Sequence, residues 1–320
     1  MNVLVTGAGG MVGSHLVEIL SNEGNAVTGI WHKNKKNVEQ ITAKVRFVQC
    51  DLRYGGVVDQ LIMDDLPKQI YHLAAQSYPT VSWVSPAETF DVNLNAQVSV
   101  FEAVKKARKY VDPSYDPMIV VACSSAEYGQ TLNEIDNPFV KEEAQLKPLH
   151  PYGVSKVGQD FLAFQYFMND DIRCIRARIF NSTGTRKVND VTSDFTRRAI
   201  ESERKGVFSI RCGNLDTKRA IMDQRDLVAA LRLLADKGTP GDVYNVSSEH
   251  VYAMEDIIKI IENQIGHRLE RVVDPKLLRS TDERIIVGDV TKLKNATGWK
   301  QTISMEKTIS DMLAYWRTIL

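Results

Sequence analysis

The chain has 320 residues, of which 43% are hydrophobic, enough for a sizeable buried core. Its 40 basic residues balance its 40 acidic residues, so the overall charge gives no electrostatic case for binding nucleic acid or an anionic membrane. No apolar run approaches the roughly 18 residues of a membrane span, and strand-like residues begin at once, without the features of a secretion signal. We therefore expect a cytoplasmic protein that binds neither nucleic acid nor membranes.

The four cysteines, Cys50, Cys123, Cys174 and Cys212, are far apart and form no C-x-x-C pair. This spacing is typical neither of a metal-ligand motif nor of a disulfide framework. We expect reduced cysteines in the core of a cytosolic protein, and we predict no metal site.

Apolar runs typical of strands alternate with helical patterns through the first half of the chain. The predicted strands cover residues 2–6, 26–30, 45–50, 69–75, 118–125 and 172–180, and the predicted helices cover 11–22, 87–107 and 155–169. The strands are continuous apolar runs, which indicates a parallel sheet that is buried on both faces. Right-handed crossovers then predict an α/β fold with a Rossmann-type, doubly wound parallel sheet.

Three glycines, Gly7, Gly10 and Gly13, lie where the first predicted strand runs into the first predicted helix. Glycines at such a turn let backbone N–H groups approach a pyrophosphate, and the helix N-terminus then faces the negative charge. The spacing is G-x-x-G-x-x-G, which moves the second glycine by one place from the commoner G-x-G-x-x-G pattern. The position within a strand–helix–strand unit favours dinucleotide binding over a plain tight turn.

The end of the second predicted strand decides which dinucleotide is expected. NAD sites usually carry an acidic residue there, but Trp31 occupies that place and is followed by His32, Lys33 and two further lysines. A basic run suits a 2′-phosphate, so we predict NADP(H), with NAD(H) as the alternative if the run is only a solvated turn. Asp51, after the third strand, is placed either to contact adenine or to cap a helix.

A second motif is Y-x-x-x-K, formed by Tyr152 and Lys156. On a helix these residues share a face. We expect the ammonium group to lower the pKa of the tyrosine and to reach a cofactor ribose, so that the tyrosine exchanges a proton as hydride moves. The strand over 118–125 ends in hydroxyls, and Ser124 is placed to bond the reacting oxygen. We predict that these three residues are catalytic.

Together with YHLAAQS, DVNLNA, SSAEYG, RIFNSTGTR, RAIMDQRDLV and GDVTKLKNATGW, these motifs resemble the extended short-chain dehydrogenases/reductases that act on nucleotide sugars. The resemblance spans nearly the whole chain. It implies an NAD(P)-binding Rossmann domain over residues 1–180 and a smaller C-terminal nucleotide-sugar-binding lobe over 181–320, with about 223–247 returning to the main sheet. It also implies a homodimer formed through the helices at 87–106 and from 156.

The resemblance further implies particular contacts. We expect the cofactor to be bound by Gly7, Gly10, Met11, Val12, Gly13, His32, Lys33, Asp51, Leu52, Leu73, Ala74, Ala75, Asn93, Tyr152 and Lys156. We expect substrate contacts from Ser125, Glu127, Asn181, Arg186, Arg219 and Arg279. Arginine forks suit pyrophosphate oxygens, although Arg219 and Arg279 could instead be surface ion-pair partners.

Within this family, SSAEYG, FNSTG, VTSDF and GNLDTKR are most similar to GDP-6-deoxy-4-keto-mannose reductases, which are near relatives of the GDP-mannose 4,6-dehydratases. Dehydratases carry an acidic pair at places that Ser125 and Ala126 occupy here. Glu127 is one place off and, on a strand, would face the other way. The resemblance therefore implies NADPH-dependent reduction at C4 of a nucleotide-linked 4-keto-6-deoxy sugar.

Other reactions remain open at this point. A one-residue shift of Glu127 would restore a 4,6-dehydratase, and a 4-epimerase with bound NAD(P) shares the same fold. A dinucleotide-binding protein without activity is a further alternative, which the presence of both Tyr152 and Lys156 disfavours. Ala220-Ile221 and Ser280 depart from the reductase pattern, where an aspartate followed by an aromatic residue, and a proline, are usual.

Overall fold

The computed structural model describes residues 1–277 and 285–320 of the chain. Its strands are β1 (Asn2–Thr6), β2 (Ala26–Trp31), β3 (Val45–Gln49), β4 (Gln69–His72), β5 (Met118–Ser124), β6 (Phe139–Val140), β7 (Cys174–Ile179), β8 (Ser182–Thr183), β9 (Ser209–Cys212), β10 (Lys218–Ala220), β11 (Met222–Asp223), β12 (Val243–Val246), β13 (Val251–Ala253), β14 (Glu270–Val273) and β15 (Ile285–Gly288).

The helices are α1 (Met11–Asn22), α2 (Lys36–Glu39), α3 (Gly56–Asp65), α4 (Pro79–Val84), α5 (Pro86–Phe90), α6 (Ala96–Tyr110), α7 (Thr131–Glu134), α8 (Pro151–Asp170), α9 (Val191–Lys205), α10 (Gln224–Lys237), α11 (Met254–Ile265), α12 (Thr291–Thr297) and α13 (Met305–Ile319). Within the described ranges, none of these helices is both long and apolar enough to cross a membrane.

Seven parallel strands form the main sheet in the order β12-β7-β5-β4-β1-β2-β3. The chain winds from β1 outward through β2 and β3, and then returns to β4 on the other side of β1. This reversal leaves a crevice at the carboxyl ends of β1 and β4, which is where open α/β sheets bind their ligands. The predicted doubly wound α/β fold is confirmed.

Helices cover both faces of the sheet, as continuous apolar strands require. On one face Leu16, Leu231 and Trp299 belong to one apolar cluster, which brings α1, α10 and the segment after α12 together. On the other face Ile62 and Val100 belong to the cluster contributed by α3, α6 and α8. All four cysteines are buried and free.

The remaining elements form smaller sheets and a separate apolar cluster. Phe195 on α9, Ile258 on α11 and Ile309 on α13 are fully or almost fully buried in that cluster. After α10 the chain returns to the main sheet, because Val243–Val246 of β12 pairs with Arg176–Ile179 of β7. The C-terminal elements are therefore shared between the main sheet and the smaller cluster.

The predicted helix over 87–107 is helical but not uniform. A π-turn at Asp91–Asn95 separates α5 from α6, and such a turn accommodates one extra residue in the helix. Asn93 lies inside this turn and is fully buried. Its side chain accepts from the Gln76 N–H at 2.7 Å and donates to Ser155 Oγ at 2.8 Å. The irregular turn therefore points Asn93 inward, where its side chain links the loop after β4 to α8.

Candidate active site

The glycine turn between β1 and α1 is a close-packed backbone feature. Gly7 has a φ of +73°, and a Cβ atom on Gly13 would lie 2.2 Å from the Gly7 carbonyl oxygen. Gly9, which sequence reasoning did not single out, is equally confined, because its Cβ would lie 2.4 Å from the Asn34 carbonyl oxygen. The first turn of α1 has no acidic residue and no side-chain cap, so its positive end is suited to a phosphate.

The carboxyl ends of β1 and β4 are joined by one hydroxyl. Thr6 Oγ1 accepts from the N–H groups of Leu73 and Ala74, at 3.1 and 3.2 Å. A Cβ atom on Gly7 would lie 2.8 Å from the Ala74 nitrogen. The predicted cofactor residues Leu73 and Ala74 therefore border the glycine turn, at the crevice of the sheet, and Ala75 follows them in the chain.

The basic run after β2 meets two acidic residues. His32 Nε2 lies 3.6 Å from Asp51 Oδ2, and Lys33 Nζ, on a largely exposed side chain, lies 3.7 Å from Glu88 Oε1. Arg53, which sequence reasoning missed, donates to Asp51 Oδ2 at 2.6 Å and to Asp91 Oδ2 at 2.9 Å. Its hydrogen bonds lower the pKa of Asp51 to about 2. Asp51 is thus ionised and held by Arg53, and its contact with adenine stays a prediction.

Ser124, Tyr152 and Lys156 come from two elements that meet at the end of the sheet. Ser124 ends β5, and the other two lie in the first turns of α8. Pro151 begins that helix, and His150 caps it by accepting from the Gly153 N–H at 2.9 Å, an arrangement that fixes the first turn. The three predicted catalytic residues are thereby brought together, all of them nearly buried.

The expected effect of Lys156 on the tyrosine is wrong for this structure. Burial raises the pKa of Tyr152 to about 12, although a hydrogen bond from the Ser124 hydroxyl lowers it in part. The ammonium group of Lys156 lies 5.8 Å from the centre of the tyrosine ring. It donates instead to the Ala122 carbonyl oxygen at 2.7 Å and to Gln159 Oε1 at 2.8 Å. Burial also lowers the pKa of Lys156 to about 8.

Glu127 is not placed to contact a substrate, contrary to the prediction. It is wholly buried, and its Oε1 accepts from the Ser124 N–H at 2.7 Å. Its Oε2 lies 3.2 Å from Arg178 Nε, which also bonds Asp160 Oδ2 at 2.9 Å. Burial, reinforced by Asp160, raises the pKa of Glu127 to about 8 against the opposing effect of Arg178. The Glu127 carboxyl group thus fixes the end of β5 through its hydrogen bond from the Ser124 N–H.

Sequence reasoning missed this buried ionic group. Its signal was present: Arg176 and Arg178 interrupt an otherwise apolar strand, and charged residues are rarely buried unless they are paired. Asp160 lies eight residues after Tyr152 on α8 and bonds both arginines, Arg176 Nη1 at 2.6 Å. Within the described residues, Arg178 lies against both Glu127 and Asp160, and Arg176 is a second cation at Asp160.

The predicted substrate-binding residues differ in their hydrogen-bond partners and in their places in the fold. The side-chain nitrogen of Asn181 is buried and has no hydrogen-bond partner among the described residues, so it is a donor that a ligand could satisfy. Arg186 Nη1 pairs with Glu18 Oε2 at 3.0 Å, and its contact with substrate stays a prediction. Arg219 lies on β10. Ser125 opens the 3₁₀ turn after β5. The prediction for Arg279 lies outside the described residues.

The chain matches the family model described as GDP-mannose 4,6 dehydratase over residues 4–312, and it belongs to that family. The predicted resemblance is confirmed: the chain is an NAD(P)-dependent enzyme of the extended short-chain dehydrogenase/reductase type. A similar curated protein is the GDP-6-deoxy-D-mannose reductase of Pseudomonas aeruginosa, 28% identical over 256 residues, which are 79% of this chain and 82% of that protein.

Relatives with other activities are similar over more of the chain. The UDP-glucose 4-epimerase of Lactobacillus helveticus is 26% identical over 334 residues, covering 98% of this chain and 95% of that protein. Among solved structures, RMD from Pseudomonas aeruginosa complexed with NADPH superposes with a TM-score of 0.82 at 25% identity, covering 100% of this chain and 99% of that one. The comparisons thus establish the family, whose members named above include a reductase and an epimerase.

Proposed function

We propose that the protein reduces a nucleotide-linked 4-keto-6-deoxy sugar at C4 with NADPH, and that the nucleotide is GDP. The observation that carries this proposal is the position of Glu127. A 4,6-dehydratase needs an acid and a base for C5 and C6 in addition to the tyrosine. Here Ser125 and Ala126 stand where dehydratases carry their acidic pair, and Glu127 is turned inward onto Arg178. Ser124, Tyr152 and Lys156 suffice for chemistry at C4 alone.

In this proposal the chain supplies the proton and the orientation. NADPH, when bound, supplies the hydride for the C4 carbonyl carbon. With its pKa raised to about 12, Tyr152 is protonated at neutral pH and donates its phenolic proton to the C4 oxygen as that oxygen gains charge. Ser124 donates a hydrogen bond to the same oxygen, and Lys156 holds the ribose. The ketone gains one hydride and one proton, and the product is the alcohol.

The binding features support both ligands. The glycine turn and the uncapped start of α1 suit a pyrophosphate, and a 25% identical structure is described with NADPH. The unpartnered amide of Asn181 suits the sugar or its phosphate. The relative described as a GDP-6-deoxy-D-mannose reductase supports the GDP-linked substrate.

The substrate test compares three sugar nucleotides with and without NADPH. We expect the purified enzyme to reduce GDP-6-deoxy-4-keto-mannose with one NADPH oxidised per product. In deuterium oxide the product should carry no deuterium at C5, because a reductase never breaks that C–H bond. Conversion of GDP-mannose with deuterium at C5 and no net NADPH oxidation would establish a dehydratase instead. Conversion of UDP-glucose without cofactor turnover would establish an epimerase.

The cofactor test uses the end of β2. Because an acidic residue there bonds the two ribose hydroxyls of NAD and repels a 2′-phosphate, we expect Trp31→Asp to shift the ratio of kcat/KM for NADPH and NADH toward NADH. Lys33→Ala should weaken NADPH binding and leave NADH binding nearly unchanged. Lys68→Ala, at an exposed lysine before β4, is the matched control. A parent enzyme that prefers NADH contradicts the NADPH proposal.

We also propose that a second copy of the chain covers one face of α8. Val154, Phe161, Phe164 and Met168 are all exposed, and their spacing of 7, 3 and 4 residues places them on one side of the helix. Such an apolar stripe is typical of an interface, and light scattering on the purified protein would show the dimer. A cytosolic location stays a prediction based on the reduced cysteines.

A further inference from the structure

Two glutamines lie behind Lys156. Gln97 on α6 and Gln159 on α8 are both fully buried. Gln159 Nε2 donates to Gln97 Oε1 at 3.0 Å, and Gln97 Nε2 donates to the Gln159 carbonyl oxygen at 2.8 Å. Buried amides are costly unless they are hydrogen-bonded, so each glutamine stabilises the burial of the other.

These hydrogen bonds fix which atom of Gln159 faces the lysine. The backbone oxygen of Gln159 can only accept, so the Gln97 amide must turn its nitrogen toward it. Gln97 Oε1 then faces Gln159 Nε2, which leaves Gln159 Oε1 pointing at Lys156 Nζ, 2.8 Å away. The reversed amide would present N–H groups to an ammonium group. Only one orientation of the two side-chain amides therefore satisfies all of these hydrogen bonds.

We propose that Gln159, oriented by Gln97, is a positioning residue that fixes the ammonium group of Lys156 and favours its charged form. The inference rests on the proposed function in so far as Lys156 is catalytic. An ammonium group needs acceptors when it leaves water, and among the described residues Lys156 has two, Gln159 Oε1 and the Ala122 carbonyl oxygen. The backbone acceptor is fixed by β5, so the glutamine is the acceptor that a substitution can remove.

The groups that surround Lys156 carry little charge, so the Gln159 acceptor affects the ionisation of the lysine. Burial lowers the pKa of Lys156 to about 8, with smaller opposing effects from Cys123 and Glu127. His72 faces it from β4 and is neutral, since burial lowers its pKa to about 3. Tyr152 is neutral as well at physiological pH, with a pKa of about 12. Ionised partners are thus few, and hydrogen-bond acceptors help to decide whether the amine is charged near neutral pH.

The experiment reads the ionisation of Lys156 directly, without catalysis. In protein labelled with ¹³C-lysine and free of cofactor, the ε-carbon shift of Lys156 is followed against pH and assigned by its loss in Lys156→Met. We expect Gln159→Met, which keeps the length of the side chain, to favour the neutral amine by about tenfold or more in the ionisation constant. Gln97→Met added to Gln159→Met should change nothing further, because Gln97 acts through Gln159.

Gln165→Met is the control, since it makes the same change at an exposed position of α8. Should Gln159→Met fail to fold, Gln159→Asn keeps the amide but shortens its reach and is expected to shift the titration in the same direction. An unchanged Lys156 titration in the folded variant overturns the inference. A shifted titration with an unchanged pH profile of kcat/KM supports Gln159 as the positioning residue and removes Lys156 from the proposed mechanism.

Discussion

Replacement of Tyr152 by phenylalanine is expected to lower kcat/KM by about 100-fold or more, which corresponds to about 2.7 kcal/mol or more of transition-state stabilisation. The ring keeps its packing, including its stacking on His150 with 5.8 Å between ring centres, so the loss isolates the phenolic proton. NADPH binding should change little and can be measured separately by fluorescence titration. Near-normal turnover in Tyr152→Phe would exclude the tyrosine as the proton donor.

The matched control is Tyr166→Phe on the same helix. Tyr166 is also buried, but its hydroxyl donates to Glu102 Oε1 at 2.8 Å on α6, away from Ser124. We expect this variant to retain its activity. In the parent enzyme the pH profile adds a second check: kcat/KM should fall as the pH rises through about 8, where Lys156 loses its proton, while Tyr152 stays protonated to about 12.

Replacement of Arg178 by methionine is expected to destabilise the fold by about 3–5 kcal/mol at pH 9, because it removes the cation beside ionised Glu127 and leaves buried Asp160 with Arg176 alone. Glu127 and Asp160 are both wholly buried, and Arg178 Nε lies 3.2 and 2.9 Å from them. Urea unfolding at fixed pH measures the free energy. A loss below about 1 kcal/mol would show that the two carboxyl groups do not depend on the guanidinium.

The pH dependence of this loss has a definite sign. Removing the cation raises the folded-state pKa of Glu127 further above its value of about 8 in the parent protein, so the folded variant binds more protons as the pH rises past that value. The pH-dependent part of the penalty is absent well below pH 8, where Glu127 is protonated in both folded proteins, and it grows as the pH rises through about 8. The deficit of Arg178→Met should therefore be larger at pH 9 than at pH 6. Arg173→Met, which removes an exposed ion pair with Asp116, is the control and should cost little at either pH.

The sequence predicted the elements that depend on local pattern. The first helix was predicted over residues 11–22 and is found at Met11–Asn22, because its apolar spacing and the glycine before it are both local signals. The glycine turn was found for the same reason. The strands of the main sheet were likewise predicted to within two or three residues at their ends.

What the sequence did not predict depends on contacts between distant segments. Glu18 lies 168 residues from Arg186 and accepts a hydrogen bond from its guanidinium, a contact that no local pattern indicates. Gln97 and Gln159 are 62 residues apart, and no local pattern marks them as partners. The pKa of Tyr152 depends on its burial, which only the packing of α8 against β5 determines. Side-chain direction at the end of a strand is likewise a tertiary property.

The π-turn at Asp91–Asn95 has a consequence for how this segment can change in length. A π-turn holds one residue more than the surrounding α-helix, so deleting a single residue there would repair the helix and leave everything after it in register. The repaired helix would be more regular, yet it would no longer carry Asn93 inward to Gln76 and Ser155. Elsewhere in a helix a deletion turns all later side chains by about 100°. Here it would remove a single inward-facing amide.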